Sequence, residues 1–73
     1  MVDATLLERL KQYRTKVAGE NGVPPYVIFH DRTLIELAAR RPKIIAELEG
    51  IYGIGEAKRS RYGQDIVDMV LQI

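Results

Sequence analysis

Apolar side chains recur along the first quarter of the chain with the period of a helix. In TLLERLKQYRTKVA, residues 5–18, Leu6, Leu10, Tyr13 and Val17 fall at i, i+4, i+7 and i+11, with Leu7 beside them. That stripe predicts an amphipathic helix. Thr5 and Glu8 have the spacing of a capping box, and Asp3 is a rival cap. Gly19 and Gly22 are expected to end the helix.

The pattern then changes. VPPYVIF, residues 23–29, has two prolines that remove two backbone donors and fix two φ angles. It predicts an extended or one-turn segment, and its apolar content predicts that it lies across the core. RTLIELAARR follows, with Thr33 and Glu36 as a second capping box, Asp31 as a cap, and Leu34, Leu37 and Ala38 as the inner face. Asp3 to Glu8 and Asp31 to Glu36 echo each other, which shared capping chemistry explains. Pro42 is expected to end this helix and to open the next, KIIAELEG, with Ile44, Ile45 and Leu48 inward. Gly50 to Gly55 reads as a turn. A last helix from about Glu56 to Gln72 carries the stripe Tyr62, Ile66, Met69, Val70 and Ile73, with Arg61 and Asp65 paired at i,i+4. The expected fold is all-α: one compact domain over residues 1–73, a bundle of four to five short helices whose long first and last members enclose the shorter ones.

Composition narrows the chemistry. With 73 residues the chain forms one small domain. It has no cysteine, which excludes disulfides and thiolate metal sites, and a single histidine, His30. No metal and no cofactor are expected. A reducing, intracellular compartment fits, cytoplasmic or nucleoid-associated, and no apolar run has the length of a membrane span. Eleven Lys and Arg face ten Asp and Glu, so the net charge is +1. Any binding to nucleic acid must come from charge placement rather than charge total. No catalytic constellation stands out. His30 and Asp31 are adjacent, a poor arrangement for a relay, Ser60 lies among cations, and no phosphate-loop consensus occurs.

Two places carry candidate binding chemistry. GIYGIGEAKRSRYG, residues 50–63, sets two glycines before a helix N-terminus, where unpaired N–H groups and the helix dipole favour an anion. Its spacing resembles a helix-hairpin-helix, with Tyr52 where a proline is common and Arg59 where an alanine is common. Gly53 and Gly55 would approach a phosphate, and Lys58, Arg59 and Arg61 would flank it. The plain alternative is a turn whose Ile51 and Ile54 enter the core and whose cations are solvated. The second place is Tyr26, behind two prolines, where a rigidly held ring would stack on an unpaired base. Its alternative is packing against the first helix. Lys11 and Arg14 edge one side of that helix, and Arg40, Arg41 and Lys43 cluster around Pro42.

Taken together, LLERLKQYR, GVPPYVIFHD, TLIELAARRP and IYGIGEAKRSRYG resemble, in order and spacing, the helicase-and-RNase-D C-terminal (HRDC) domain, over about residues 5–70. The VPPY form is most similar to the version appended to RecQ-type DNA helicases. The resemblance implies a compact, monomeric, non-catalytic helical module of an ATP-dependent DNA helicase active in DNA repair, recombination and replication. It implies weak binding to single-stranded or partially unwound DNA, or to DNA junctions, that tunes which structure the helicase engages. Tyr26, Lys11, Arg14, Lys58 and Arg59 are then candidate DNA contacts, with Gly53 and Gly55 as phosphate contacts. The alternative within the resemblance is a regulatory module that docks on the helicase core or on another protein without touching DNA.

Overall fold

A computed structural model describes residues 1–73 and shows four α-helices and one 3₁₀ turn, with no strand. Helix α1 spans Ala4–Asn21, α2 Pro25–Ile28, α3 Asp31–Arg40 and α4 Glu56–Gln72; the 3₁₀ turn spans Ile45–Leu48.

Asp3, not Thr5, caps α1: its carboxylate accepts from the Leu6 N–H at 3.0 Å. The same side chain also takes the guanidinium of Arg41, and the Asp3 backbone N–H donates to the Ala38 carbonyl at 3.1 Å. One residue therefore starts α1 and ties it to the end of α3. The helix runs through Gly19 and stops at Gly22, which is left-handed at φ 65°. There Gly22 N–H donates to Gly19 O and Val23 N–H to Ala18 O, the paired bonds of a Schellman ending.

VPPYVIF forms the single turn α2, with Pro25 at its first position, where a missing N–H costs nothing. Ile28 and Phe29 enter the core; Tyr26 and Val27 stay outside. Helix α3 begins two residues earlier than its apparent box. His30 is its N-cap residue and Asp31 is its first residue, so Asp31 is not the cap. Thr33 does not cap either. It is fully buried, and its hydroxyl donates to the Tyr52 carbonyl at 2.8 Å, tying α3 to the glycine turn.

The segment after Pro42 departs furthest from its pattern. It makes a four-residue 3₁₀ turn rather than a helix, and only Leu48 is buried; Ile44 and Ile45 are exposed. Arg41 takes a left-handed conformation at φ 50°, and Pro42 behind it is buried, so the chain changes direction there instead of starting a new helix. The Lys43 N–H is satisfied by the Glu47 carboxylate at 2.7 Å, a side-chain substitute for a helical bond. Glycine lets this turn sit close to α4: a Cβ on Gly63 would lie 3.1 Å from Leu48.

The core lies between α1 and α4, with Leu6, Leu10, Leu34, Leu37, Leu48 and Ile66 fully or almost fully buried. Tyr62 sets its ring edge-on to Phe29, with centroids 5.4 Å apart, and to Tyr13 at 6.4 Å. On α4 the buried face includes Val67, while Met69 is only partly covered and Ile73 is exposed. Asp65 does not pair with Arg61; it accepts from the Tyr13 hydroxyl at 2.8 Å, joining the two long helices. Burial, then this bond, pushes the Tyr13 hydroxyl well above its ordinary value. A raised folded value means the contribution is present below about pH 10 and is lost as pH rises through the folded value.

Candidate nucleic-acid interface

The short helix α2 sets the geometry of the candidate face. Pro24 and Pro25 fix its entry, and buried Ile28 and Phe29 anchor its exit. Tyr26 projects from this rigid turn with 62% of its surface exposed. It does not pack into the protein: its nearest aromatic neighbour is His30, with centroids 6.4 Å apart. Lys58, in the first turn of α4, reaches the end of α2. Its Nζ lies 3.5 Å from the Val27 carbonyl and 5.5 Å from the Phe29 ring. It has no carboxylate partner. A cation on the short turn that carries an exposed ring gives one position for a phosphate and one for a base.

The other predicted residues divide. Lys11 is exposed on α1 and acts on Asp31 electrostatically, which places it beside the start of α3. Arg59 is partly covered, and its stem packs along α4 at Gly63. Gly55 is the N-cap residue of α4, which has no side-chain cap but carries Glu56 in its first turn. That carboxylate uses the favourable end of the helix dipole and repels a second anion. Gly53 is exposed on the turn, at φ 77°, and its role in the fold is steric: an added Cβ would lie 2.5 Å from Thr33 Oγ1.

Arg14 is committed within the fold. Its Nη1 donates to the Phe29 carbonyl at 3.1 Å and to Asp31 Oδ1 at 2.7 Å, and its side chain is 13% exposed. It clamps α1 onto the junction that presents Tyr26. The Arg14 bond, and then its charge, hold the Asp31 carboxyl below its ordinary value. A lowered value means that this pair contributes fully above about pH 4 and is lost as pH falls through the folded value. On acidification the melting temperature of the wild type should therefore fall more steeply than that of Asp31→Asn, which lacks the titrating group. Parallel curves from pH 5 to pH 2 would show that the pair contributes nothing.

Three side chains on this face are not among the contacts expected from the sequence: His30, Arg32 and Tyr52. Tyr52 is 43% exposed and has the Arg32 guanidinium 4.1 Å from its ring centroid. The sequence signal was there, an aromatic at the apex of a glycine turn, but it read only as a departure from a motif. An open groove also lies between α2 and α4, lined by Val23, Ile28, Ala57, Lys58 and Arg61 among others. No helix of the chain is long and apolar enough to cross a membrane.

Known proteins share this architecture and sequence. The HRDC domain of RecQ from Deinococcus radiodurans, the third in that protein, superposes with a TM-score of 0.89 at 37% identity, covering 96% of this chain and 92% of that one. The ATP-dependent DNA helicase RecQ of Bacillus subtilis is 48% identical over 59 residues, which is 81% of this chain and 10% of that protein. The ATP-dependent DNA helicase UvrD2 of Mycobacterium tuberculosis is 45% identical over 69 residues, 94% of this chain and again 10% of the relative. The chain thus spans about a tenth of these helicases. The HRDC domain family matches residues 3–70, nearly the whole chain, and the all-helical fold agrees with it: this chain belongs to the HRDC domain family.

Proposed function

We propose that this domain is a non-catalytic accessory module of a RecQ-type DNA helicase that holds single-stranded or partially unwound DNA. The observation that carries the reading is Tyr26. It is the most exposed tyrosine of the domain, it sits on a turn made rigid by two prolines, and Lys58, which has no carboxylate partner, reaches the carbonyl of the next residue, Val27. Base–aromatic stacking tolerates any sequence, because every base has a π-face. Lys58 and Lys11 supply phosphate contacts, with Arg59 as an outer one. The backbone at Gly53 and Gly55 is at most a secondary contact. Few phosphates are neutralised, so binding is weak and falls as salt rises.

The module then biases its parent toward substrates with an unpaired strand. Titration of a fluorescent thymidine decamer at low salt tests this. Tyr26→Ala should weaken binding about 5-fold or more, since stacking on one ring is worth ~1–3 kcal/mol. Lys58→Gln should weaken binding less and flatten its dependence on salt. Binding unchanged in both variants would shift the assignment to the alternative, a regulatory module that docks on the helicase core or another protein.

A further inference from the structure

The face around Tyr26 does not end at Tyr26. His30, at the N-cap of α3, has its ring centroid 6.4 Å from Tyr26, tilted by 31°. On its other side the Tyr52 ring lies 6.5 Å away, tilted by 56°. All three rings are solvent-exposed. They come from three separate segments, α2, the α3 cap and the glycine turn. Each is held by independent structure: Tyr26 by the prolines, His30 by the start of α3, and Tyr52 by the Thr33 hydroxyl on its carbonyl. A contiguous row of exposed rings on rigid backbone marks an interaction surface.

Charge indicates what covers it. Arg32 lies 4.1 Å over the Tyr52 centroid, and no carboxylate is paired with it. A guanidinium stacked on a ring keeps its N–H groups pointing outward in its own plane, where a phosphate oxygen can accept them. Lys58 reaches the Val27 carbonyl, next in the chain to Tyr26, also without a carboxylate partner. The Asp31 carboxylate, next in the chain to His30, is already taken by Arg14. The row is therefore aromatic along its length and cationic at both ends, which suits a chain of bases with its phosphates and not an acidic or purely apolar partner.

We propose that Tyr26, His30 and Tyr52, closed by Arg32, form one track that stacks consecutive unpaired bases of a single strand. The inference rests on the DNA-binding reading and extends it from one ring to three. The strand runs from the α2–α4 edge, across the start of α3, to the glycine turn. The turn thus serves DNA binding through the side chain at its apex rather than through its backbone N–H groups. A track of this kind needs several nucleotides to fill it.

The test compares binding of a thymidine decamer to the wild type, Tyr26→Ala, His30→Ala, Tyr52→Ala and Tyr52→Phe at low salt, with each variant first shown to melt cooperatively. The track predicts that His30→Ala and Tyr52→Ala each weaken binding about 5-fold or more, as loss of a stacking ring does. Tyr52→Phe, which keeps the ring, should bind as the wild type does. Arg32→Gln should reduce the slope of log K against log salt by about 0.7, the value of one phosphate on a single strand. If Tyr26→Ala weakens binding while His30→Ala and Tyr52→Ala match the wild type, the track is wrong and the single-ring reading stands. If the wild type itself does not bind the decamer, the DNA-binding reading falls and the track with it.

Discussion

Replacing Gly53 with alanine should come close to unfolding this domain, although the glycine is exposed and one methyl group is added. The position sits at φ 77°, in the left-handed region, where an L-residue costs roughly 1–2 kcal/mol. The new Cβ would also stand 2.5 Å from Thr33 Oγ1, and Thr33 is fully buried, so it has nowhere to go. Moving it breaks its bond to the Tyr52 carbonyl. Leaving a buried hydroxyl unpaired costs a further ~1–3 kcal/mol. Set against roughly 4–11 kcal/mol for a chain of 73 residues, the combined loss is most of the stability at the lower end of that range. The mechanism is separable from general glycine strain. In a Thr33→Ala background the obstructing oxygen is gone, so Gly53→Ala should cost markedly less, and thermal melting of the four proteins in a double-mutant cycle measures the difference. Equal costs in both backgrounds would assign the whole effect to φ.

Phe29→Ala should be as damaging for a different reason. Phe29 is 1% exposed and lies edge-on to Tyr62 at the centre of the domain. Truncating a buried phenylalanine costs ~3–5 kcal/mol, through lost transfer energy and the cavity left behind. In a domain of this size that corresponds to a fall in melting temperature of roughly 12 °C or more. Its place in the chain makes the loss functional as well. Phe29 follows α2 directly, Arg14 clamps its carbonyl, and Lys58 lies over its ring. A loosened Phe29 releases the turn that presents Tyr26. Phe29→Leu, which keeps most of the volume, should retain the fold and most DNA binding. A melting temperature for Phe29→Ala within a few degrees of the wild type would show that Phe29 is not central to the core.

The two long helices were legible because each must bury one continuous stripe, and a 3.6-residue period survives without knowledge of the partner. Leu6, Leu10 and Val17 on α1, and Tyr62, Ile66 and Val70 on α4, follow that period into the core. Single polar residues were less legible. Thr33 has the sequence context of a cap, yet its hydroxyl bonds to a carbonyl 19 residues away. Local spacing cannot distinguish a hydroxyl that caps its own helix from one that ties two segments. Asp3 and Arg41 illustrate the same limit: the pair closes a contact 38 residues long that no local pattern announces. Ile44 and Ile45 read as core because they are apolar and spaced for a helix, but the chain reverses at Arg41 and Pro42 and leaves them outside.

The candidate face was half legible for similar reasons. Tyr26 stands out because prolines declare a rigid turn, but the apolar segment around it points to the core, and only the fold shows the ring exposed. Lys58 is legible as a cation flanking the glycine turn, although its closeness to α2 is not. Arg14 looked like one more surface cation, and only the fold shows its guanidinium turned into the Phe29–Asp31 junction. His30 and Tyr52 lie 22 positions apart in the chain, and their rings become neighbours only when the Thr33–Tyr52 bond folds the glycine turn against α3.

The central claim is that the surface around Tyr26 and Lys58 holds a single DNA strand. Amide chemical shifts of the isotopically labelled domain, followed while a thymidine decamer is added at low salt and again at raised salt, test it most directly. Shifts should concentrate at Tyr26, Val27, His30 and Lys58, saturate at low salt and fade as salt is raised. A spectrum unchanged at low salt, or shifts confined to the end of α3 and the segment after it, around Glu36, Arg40 and Lys43, would contradict this.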